Sequence, residues 1–307
     1  MKKVLVATQK PFAPAAVEQI KTVVESAGYE FHLYEKYAEQ ADLVNAVKGM
    51  DALIIRSDKV TSEVIGAADQ LKIVVRAGAG YDNVDLAAAT ANNVVVMNTP
   101  GQNSNAVAEL AFGMMVYLAR NGYNGSAGTE LRGKKLGIHA FGNVGQYVAT
   151  MAKGFGMEVY AFDPFVSKGS IENAGVIALE SVEELYSTCQ YVSLHIPAND
   201  QTKKSIGEKL LNSMPKNAVL VNTARKELIN EDELLKLMAE RSDFEYISDI
   251  APDCAAEITE KFEGRFFFTP KKMGAQTSEA NINAGKAAAI QIRDFLENGD
   301  TTFQVNK

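Results

Sequence analysis

The first chemical signal in the sequence is a glycine turn between an apolar run and a helical pattern, over residues 135–153. The turn contains Gly142-Asn143-Val144-Gly145, and Ala140 stands where the first glycine of the usual pattern would be. Glycines at such a turn let the backbone approach a pyrophosphate, and the free N–H groups at the helix N-terminus stabilise its charge. The segment therefore predicts a dinucleotide-binding site.

An acidic residue at the end of the next apolar run supports this interpretation. Asp163 follows Gly145 by 18 residues. A carboxylate at this place accepts hydrogen bonds from the hydroxyl groups of the adenosine ribose. Because the same carboxylate repels a 2'-phosphate, the sequence favours NAD over NADP.

These residues belong to two series in which short apolar runs alternate with helical patterns. The first series covers residues 4–97, and the second begins at Lys135. Alternation of this kind predicts parallel sheets covered by helices. A long apolar helix over Ser104–Arg120 and a glycine-rich connector over residues 121–128 separate the two series, and we place a domain crossover there. The chain is therefore predicted to form two doubly wound α/β domains.

Composition narrows the classes of function. The net charge of −7 argues against a general attraction to nucleic acid or anionic membranes. No apolar stretch approaches the roughly 20 residues that a membrane-spanning helix needs. The two cysteines, Cys189 and Cys254, lie in no zinc-binding pattern and are too few for a disulfide framework. We therefore expect a cytoplasmic protein without a metal, whose partner is a small molecule.

Several segments, in order along nearly the whole chain, resemble the D-2-hydroxyacid dehydrogenase family. Besides the glycine turn, these are Arg76–Asp85, Asn98–Gly101 with Asn103–Glu109, His195–Pro197, Asn222–Arg225 and Thr277–Ala280. The resemblance implies a flavodoxin-like substrate domain, residues 1–97 and 282–307, with a Rossmann-like NAD domain, residues 98–281, inserted in it. It also implies that the active site is the cleft between the domains.

The resemblance assigns roles to individual residues. Arg225 matches the family's arginine, whose guanidinium binds the substrate carboxylate and carbonyl oxygen. The backbone N–H groups of Ala77, Gly78 and Ala79 would hold the carboxylate; a surface ion pair and an ordinary turn are the respective alternatives. Further NAD contacts are expected at matched positions after the glycine turn, namely His195, Pro197, Thr202, Thr223, Ala224, Asp249, Gly274 and Ala275.

Residues 55–61 and 128–131 most resemble the family members that oxidise D-3-phosphoglycerate. Arg56, Ser57 and Lys59 would then meet the phosphate of the substrate. A solvated run of charges is the alternative interpretation of this segment.

The sequence departs from the family at the catalytic histidine, which usually follows a Thr-Pro pair and is oriented by an upstream glutamate. Here Thr269-Pro270 is followed by Lys271-Lys272, and aligning Gly274 with the family's next glycine places Lys272 at the histidine position. Cys254 is the closest match to the glutamate position. A glutamate fixes the orientation of an imidazole, which an ammonium does not need, so the joint loss is chemically coherent.

Lys272 is therefore the predicted acid/base, as in a subset of the family that carries lysine for histidine. Its pKa, ordinarily about 10.4, would be lowered by burial, by Arg225 and by the positive nicotinamide ring. The alternative is that Lys272 is a surface charge and that the protein is a catalytically silent relative.

These features together predict NAD-linked oxidation of D-3-phosphoglycerate to 3-phosphohydroxypyruvate, a step of serine biosynthesis. The alternatives are a glyoxylate or hydroxypyruvate reductase and a noncatalytic NAD-binding regulatory protein. Residues 103–120 resemble the dimer interface of the family, so a homodimer is expected. Longer members append regulatory domains after their last helix, and we expect no serine-binding regulatory module here.

Overall fold

The structure, a computed structural model, describes residues 1–306 of the chain. The chain divides into two compact units, of which the first contains residues 1–103 and those from Gln276 onward. The second unit contains Ser104–Ala275. No helix in the described part of the chain is both long and apolar enough to cross a membrane.

Five parallel strands form the sheet of the first unit, and helices connect them. The strands are Lys3–Thr8 (β1), Glu30–Glu35 (β2), Ala52–Ile55 (β3), Ile73–Arg76 (β4) and Val95–Asn98 (β5). The helices are Pro14–Ser26 (α1), Gln40–Ala46 (α2), Ser62–Ala67 (α3) and Leu86–Ala91 (α4). The strand order is β2-β1-β3-β4-β5, which is the flavodoxin-like order. β3 is buried at every position, as expected for a strand covered on both faces.

Seven parallel strands form the sheet of the second unit. They are Lys135–His139 (β6), Glu158–Phe162 (β7), Ile177–Ala178 (β8), Tyr191–Leu194 (β9), Val219–Asn222 (β10), Glu245–Ser248 (β11) and Phe266–Phe268 (β12). The helices are Ser104–Ala119 (α5), Asn143–Gly154 (α6), Lys168–Asn173 (α7), Val182–Thr188 (α8), Glu208–Ser213 (α9), Glu231–Glu240 (α10) and Ala255–Lys261 (α11), with 3-10 turns at Asn121–Tyr123 and Lys226–Leu228. The order β12-β11-β10-β9-β6-β7-β8 is the Rossmann order with one further strand. The predicted fold class is confirmed.

The last helix, Ser278–Asn298 (α12), belongs to the first unit and packs against α1. Thr277 caps it, because its hydroxyl accepts a hydrogen bond from the N–H of Ala280. Gly285 allows a close approach, since a Cβ there would lie 2.8 Å from Cδ1 of Ile20. The residues that follow α12 return to the sheet. The Asn306 side chain accepts from the N–H of Val96 at 2.7 Å and so covers the free edge of β5.

Candidate active site

Residues that carry the predicted chemistry follow the carboxyl ends of five adjacent strands in the second unit. The strands are β7, β6, β9, β10 and β11. The residues that directly follow them are, respectively, Asp163, Ala140, His195, Thr223 and Asp249. Doubly wound sheets bind ligands at this edge. The fold therefore gathers the predicted cofactor residues at the edge where a cofactor binds.

The glycine turn has the geometry of a pyrophosphate cradle. Gly142 is the N-cap of α6, and no side chain caps this helix. Gly145 must be a glycine, because a Cβ there would overlap the carbonyl oxygen of Ala140. A Cβ at Gly142 would meet no protein atom within 4 Å. The turn therefore leaves open space directly in front of an uncapped helix N-terminus.

Ala140 occupies a backbone conformation that favours glycine, with φ at +79°. A left-handed conformation costs a non-glycine residue about 1–2 kcal/mol, and glycine has an unfolded-state entropy cost of roughly 0.5–1 kcal/mol. We expect Ala140→Gly to leave the free energy of unfolding unchanged or to raise it by up to about 1 kcal/mol. The matched control is Ala152→Gly in the buried face of α6, which is expected to lower it by about 1 kcal/mol. Urea denaturation measures both; a clear loss in Ala140→Gly would contradict the strain.

Asp163 is held in place by the backbone on both sides of it. Its carboxylate accepts from the N–H of Phe141 at 2.7 Å and from the N–H of Phe165 at 2.8 Å. The first bond ties the end of β7 to the glycine turn. The carboxylate is only partly buried, so it keeps acceptor capacity for a ribose hydroxyl.

His195 and His139 form a pair of neutral imidazoles at the ends of β9 and β6. Nε2 of His195 lies 2.9 Å from Oγ of Ser193, and Nδ1 of His139 lies 3.3 Å from the Tyr186 hydroxyl. Burial, together with the neighbouring His139, lowers the pKa of His195 to about 3. Burial also lowers the pKa of His139 to about 4, against the opposing charge of Asp163. His195 is thus an uncharged side chain at neutral pH.

This pair predicts a loss of stability in acid. In the folded protein the two imidazoles bind protons more weakly than free imidazoles do. The free energy of unfolding is therefore highest above pH ~6.5 and falls as the pH drops toward the folded pKa values. We expect the free energy of unfolding to fall by about 1–2 kcal/mol per histidine between pH 6.5 and 5. Urea denaturation at both pH values checks this against His195→Asn, whose loss should be smaller. An equal loss in the variant would show that His195 does not contribute.

Thr223 has an unsatisfied hydroxyl group at the carboxyl edge of the second sheet. Its side chain is buried, and its Oγ1 has no hydrogen-bond partner in the described structure. Buried hydroxyl groups are normally satisfied, so this one points to a group that completes the site. The uncapped helix, the obligatory Gly145 and the partly buried carboxylate of Asp163 agree with a dinucleotide. The residues of this edge therefore fit NAD.

Lys272 and Arg225 converge on one backbone oxygen. Nζ of Lys272 donates to the carbonyl oxygen of Ala224 at 2.6 Å, and Nη1 of Arg225 donates to the same oxygen at 2.9 Å. Nζ of Lys272 and Nη1 of Arg225 are therefore no farther apart than the sum of these two distances. An oxygen atom of a ligand placed here would meet an ammonium and a guanidinium together, as required for stabilising a developing oxyanion.

The surroundings of Lys272 lower its basicity. The residue as a whole keeps exposed surface, but protein atoms crowd around the ammonium. This burial, followed by the positive charge of Arg225, lowers the pKa of Lys272 to about 8, while Asp249 and Glu227 act in the opposite direction. A pKa near neutrality suits a group that both accepts and donates a proton. Burial and Arg225 act in the direction predicted from the sequence, and the acid/base role of Lys272 stays a prediction.

Asp249 positions the loop that carries Lys272. Its side chain is buried, and it accepts from the Thr269 hydroxyl at 2.8 Å, from the N–H of Met273 at 2.7 Å and from the N–H of Gly274 at 2.8 Å. These bonds fix the backbone on both sides of Lys272. The sequence indicated only a cofactor contact for Asp249, because the pairing with this loop follows from the fold.

Cys254, at the position of the family's glutamate, lies beside the carboxylate of Glu231. The carboxylate of Glu231 accepts from the backbone N–H groups of Asp253 and Cys254 at 3.0 and 2.8 Å. Burial and the charge of Glu231 raise the pKa of the Cys254 thiol to about 12, so the thiol stays neutral. Asp253 pairs instead with Nζ of Lys226 at 2.5 Å. Lys272 therefore relies on Asp249 and Glu227 for negative charge.

Within residues 1–306, no carboxylate contacts the guanidinium of Arg56. Nη1 donates to the carbonyl oxygens of Lys10 and Pro11 at 3.3 and 3.0 Å, and Nη2 donates to Oδ1 of Asn281 at 2.5 Å. The guanidinium also lies over the ring of Phe12, with Cζ 5.1 Å from the centroid. All these partners are neutral, so the positive charge remains available to an anion.

Arg76 is a residue to which the sequence gave no role. Its Nε donates to the carbonyl oxygen of Arg56 at 3.0 Å, so the two arginines share one corner of the first unit. Gly78 has φ at +147°, a conformation that favours glycine, and the absence of a Cβ leaves room for Nη1 of Arg76. The only available signal was that Arg76 opens the motif that contains Gly78.

The loop that follows Arg76 offers part of the predicted carboxylate site. The N–H of Ala77 donates to the carbonyl oxygen of Ile55 at 2.8 Å, so it is already engaged. The N–H groups of Gly78 and Ala79 have no partner within residues 1–306. Adjacent N–H groups of this kind suit an anion. Ser57 and Lys59 are both exposed, so their contact with a phosphate stays a prediction.

Comparison with known proteins agrees with this geometry. Residues 112–257 match the family described as D-isomer specific 2-hydroxyacid dehydrogenase, NAD binding domain. The solved structure of NAD+-bound 3-phosphoglycerate dehydrogenase from Entamoeba histolytica is 46% identical, covers 100% of this chain and 99% of its own, and superposes with a TM-score of 0.88. This chain belongs to the D-isomer specific 2-hydroxyacid dehydrogenase family. Its second unit contains the NAD-binding domain of that family.

Family members with two different names are similar to this chain. D-3-phosphoglycerate dehydrogenase of Methanocaldococcus jannaschii is 36% identical over 274 residues, which are 83% of this chain and 51% of the relative. The chain thus spans about half the length of the curated phosphoglycerate dehydrogenases that it matches. Hydroxypyruvate reductase of Thermotoga maritima is 34% identical over 219 residues, 67% of this chain and 70% of the relative.

Proposed function

We propose that this protein oxidises D-3-phosphoglycerate to 3-phosphohydroxypyruvate with NAD and catalyses the reverse reduction. The observation that carries the proposal is the convergence of Lys272 and Arg225 on the carbonyl oxygen of Ala224. This arrangement supplies an acid/base and an oxyanion-stabilising cation at one point. The similarity to phosphoglycerate dehydrogenases supports the choice of substrate.

In the oxidative direction, the hydroxyl proton of the substrate moves to Nζ of Lys272, and the C–O bond becomes a carbonyl. Arg225 binds the substrate carboxylate and stabilises negative charge on the reacting oxygen. NAD, when bound, supplies the acceptor for the hydride, which leaves the same carbon with its electron pair. In this proposal, Lys272 and Arg225 release the carbonyl oxygen of Ala224 and bind the substrate instead.

The residues that would hold NAD are those at the carboxyl edge of the second sheet. Gly142-Asn143-Val144-Gly145 would hold the pyrophosphate, and Asp163 the ribose. His195, Pro197 and Thr202 form the uncharged adenosine side; the Thr202 hydroxyl donates to the Pro197 carbonyl oxygen at 2.6 Å. Thr223, Ala224, Asp249, Gly274 and Ala275 complete the proposed set near Lys272.

Arg56 and Arg76 support a phosphorylated substrate. Two arginines at one corner, one of which has only neutral partners on its guanidinium, match the charge of a phosphate. In this proposal the phosphate binds the arginines, and Gly78 and Ala79 N–H groups bind the carboxylate. An unphosphorylated substrate would leave Arg56 without an anion, and a hydroxypyruvate reductase is the second candidate because of the Thermotoga relative.

The test is NADH oxidation with 3-phosphohydroxypyruvate, hydroxypyruvate and glyoxylate. We expect kcat/KM to be highest for the phosphorylated substrate. Equal or higher kcat/KM with hydroxypyruvate or glyoxylate would favour the reductase. NAD binding without turnover of any of them would favour a noncatalytic regulatory protein.

The pH dependence gives a second test. Lys272, with its pKa at about 8, must be neutral to accept a proton and protonated to donate one. Oxidation of 3-phosphoglycerate should therefore accelerate as the pH rises through about 8, while reduction should slow over the same range. A profile that is flat between pH 7 and 9 in both directions would contradict the role of Lys272.

We also propose that the protein is a cytoplasmic homodimer through the 103–120 region. Phe112 of α5 stacks on Phe155 at 4.9 Å, and the ring of Phe155 remains 44% exposed. Tyr147, 45% exposed, lies on the neighbouring helix α6. Exposed aromatic rings of this kind are typical of a subunit interface. Light scattering should give twice the chain mass, and Phe155→Glu should halve it; a monomeric wild type would exclude the dimer.

A further inference from the structure

Asp58 is a buried carboxylate that joins three loops of the first unit. Only 4% of the residue is exposed. Oδ1 accepts from the N–H of Gln9 at 2.7 Å and from the Tyr37 hydroxyl at 2.8 Å. Oδ2 accepts from the N–H of Arg56 at 3.3 Å. These partners follow β1, β2 and β3, so one side chain links the carboxyl ends of three adjacent strands.

The loop containing Arg56 is fixed by this carboxylate and by two other side chains. The carbonyl oxygen of Arg56 accepts from Nδ2 of Asn83 at 3.2 Å and from Nε of Arg76 at 3.0 Å. Nδ2 of Asn83 also donates to the carbonyl oxygen of Asp58 at 2.7 Å. Both backbone polar groups of Arg56 are therefore held, and its N–H is held by Asp58.

The chemistry of these contacts requires a carboxylate. All three partners of the Asp58 side chain are donors, and an ionised carboxylate is a pure acceptor. Its negative charge also opposes the effect of burial, which lowers the pKa of Arg56. Within residues 1–306, the Asp58 oxygens bind two backbone N–H groups and the Tyr37 hydroxyl, whereas the Arg56 guanidinium binds Lys10, Pro11 and Asn281. Asp58 thus holds the backbone of Arg56, and the guanidinium remains open to an external anion.

We propose that Asp58 is a positioning residue that sets Arg56 for the phosphate of the substrate, and so determines the preference for a phosphorylated over an unphosphorylated 2-oxo acid. This inference rests on the proposed function of Arg56. A guanidinium whose backbone is fixed in advance loses less freedom when it binds a phosphate in a two-pronged geometry. An unphosphorylated acid does not use this contact and should be indifferent to it.

The test compares Asp58→Asn with Tyr37→Phe. An asparagine can keep its oxygen on Gln9 and Tyr37, which places its NH2 group against the Arg56 N–H and loses only that bond. Tyr37→Phe removes a different partner of the same carboxylate and leaves the Arg56 bond intact. We expect Asp58→Asn to raise KM for 3-phosphohydroxypyruvate by about ten- to a hundredfold. Its effect on KM for hydroxypyruvate, and the effect of Tyr37→Phe on both, should stay within about threefold.

Arg56→Ala separates this inference from the proposed function. If Arg56→Ala raises KM only for the phosphorylated substrate, the Arg56–Asp58 double variant should show no further rise, because the two changes act on one contact. A selective effect of Arg56→Ala without one in Asp58→Asn overturns this inference alone. No selective effect of Arg56→Ala overturns both.

Measurements that do not depend on turnover check that each variant is folded. Thermal unfolding and NAD binding, which belongs to the second unit, are measured for each variant. If Asp58→Asn does not fold, competitive inhibition by inorganic phosphate is measured in Asn83→Ala, which releases the same loop at its carbonyl. A phosphate inhibition constant raised at least tenfold supports positioning through the loop, and an unchanged constant overturns it.

Discussion

Lys272→Ala is expected to lower kcat for 3-phosphohydroxypyruvate reduction by about 10²- to 10⁴-fold, the usual contribution of a general acid/base. The change removes the ammonium at the Ala224 oxygen, the group that exchanges the proton in the proposed reaction, and leaves Arg225 in place. KM should change less than kcat, because Arg225 and Arg56 still bind the substrate. Steady-state kinetics with both substrates at saturation measure the loss.

Lys271→Ala is the matched control for this variant. Lys271 is the adjacent lysine, and it is exposed. We expect its removal to leave the charges around the Ala224 oxygen unchanged. Its kcat should remain within about threefold of the wild type. A large loss in Lys271→Ala with little in Lys272→Ala would transfer the acid/base role to Lys271. Lys272→Ala should also abolish the rise in oxidative rate near pH 8.

Arg225→Gln is the second large effect, with an expected loss of about 10²- to 10³-fold in kcat. Glutamine keeps a hydrogen-bond donor but loses the charge that stabilises the oxyanion. Arg225→Lys should recover little activity, because an ammonium cannot make the two-pronged contact. Full recovery by lysine would mean that Arg225 acts only as a point charge.

Arg225→Gln carries a second signature in the pH profile. The charge of Arg225 lowers the pKa of Lys272, so its removal should raise that pKa and move the rise in oxidative rate to higher pH. Lys226→Ala is the control, because Lys226 carries the same charge one residue later but pairs with Asp253. Its profile should match the wild type. An unshifted profile in Arg225→Gln would contradict the electrostatic coupling.

The strands most strongly specified by the sequence are those buried on both faces. The apolar runs at 52–55 and 73–75 coincide with β3 and with the buried part of β4, because a covered parallel strand has no polar face to obscure its pattern. β12 was not predicted. Phe266–Phe268 is three residues long and lies half-buried at the edge of the sheet, so it is too short to show a period.

Some residues of the candidate site could likewise be predicted from the sequence, and others could not. Lys272 could be predicted as the acid/base because the register of Gly274 places it at the position of a family histidine, and this role stays a prediction. The roles of Arg76, Asp58 and Asp249 in fixing loops were not found. Each depends on a side chain that reaches a loop distant in the chain, as when Asp58 accepts from Gln9, 49 residues away. Motif spacing contains no such information.

The first unit is completed only by residues that follow the second. Helix α12 packs on α1, and Asn306 binds the edge of β5, whereas the second unit is one continuous stretch from Ser104 to Ala275. During synthesis, therefore, the second unit has all of its strands once residue 275 has left the ribosome, while the first still lacks a helix over its sheet. We expect the second unit to fold first, while the strands of the first unit keep apolar surface exposed until residues 276–306 have been made.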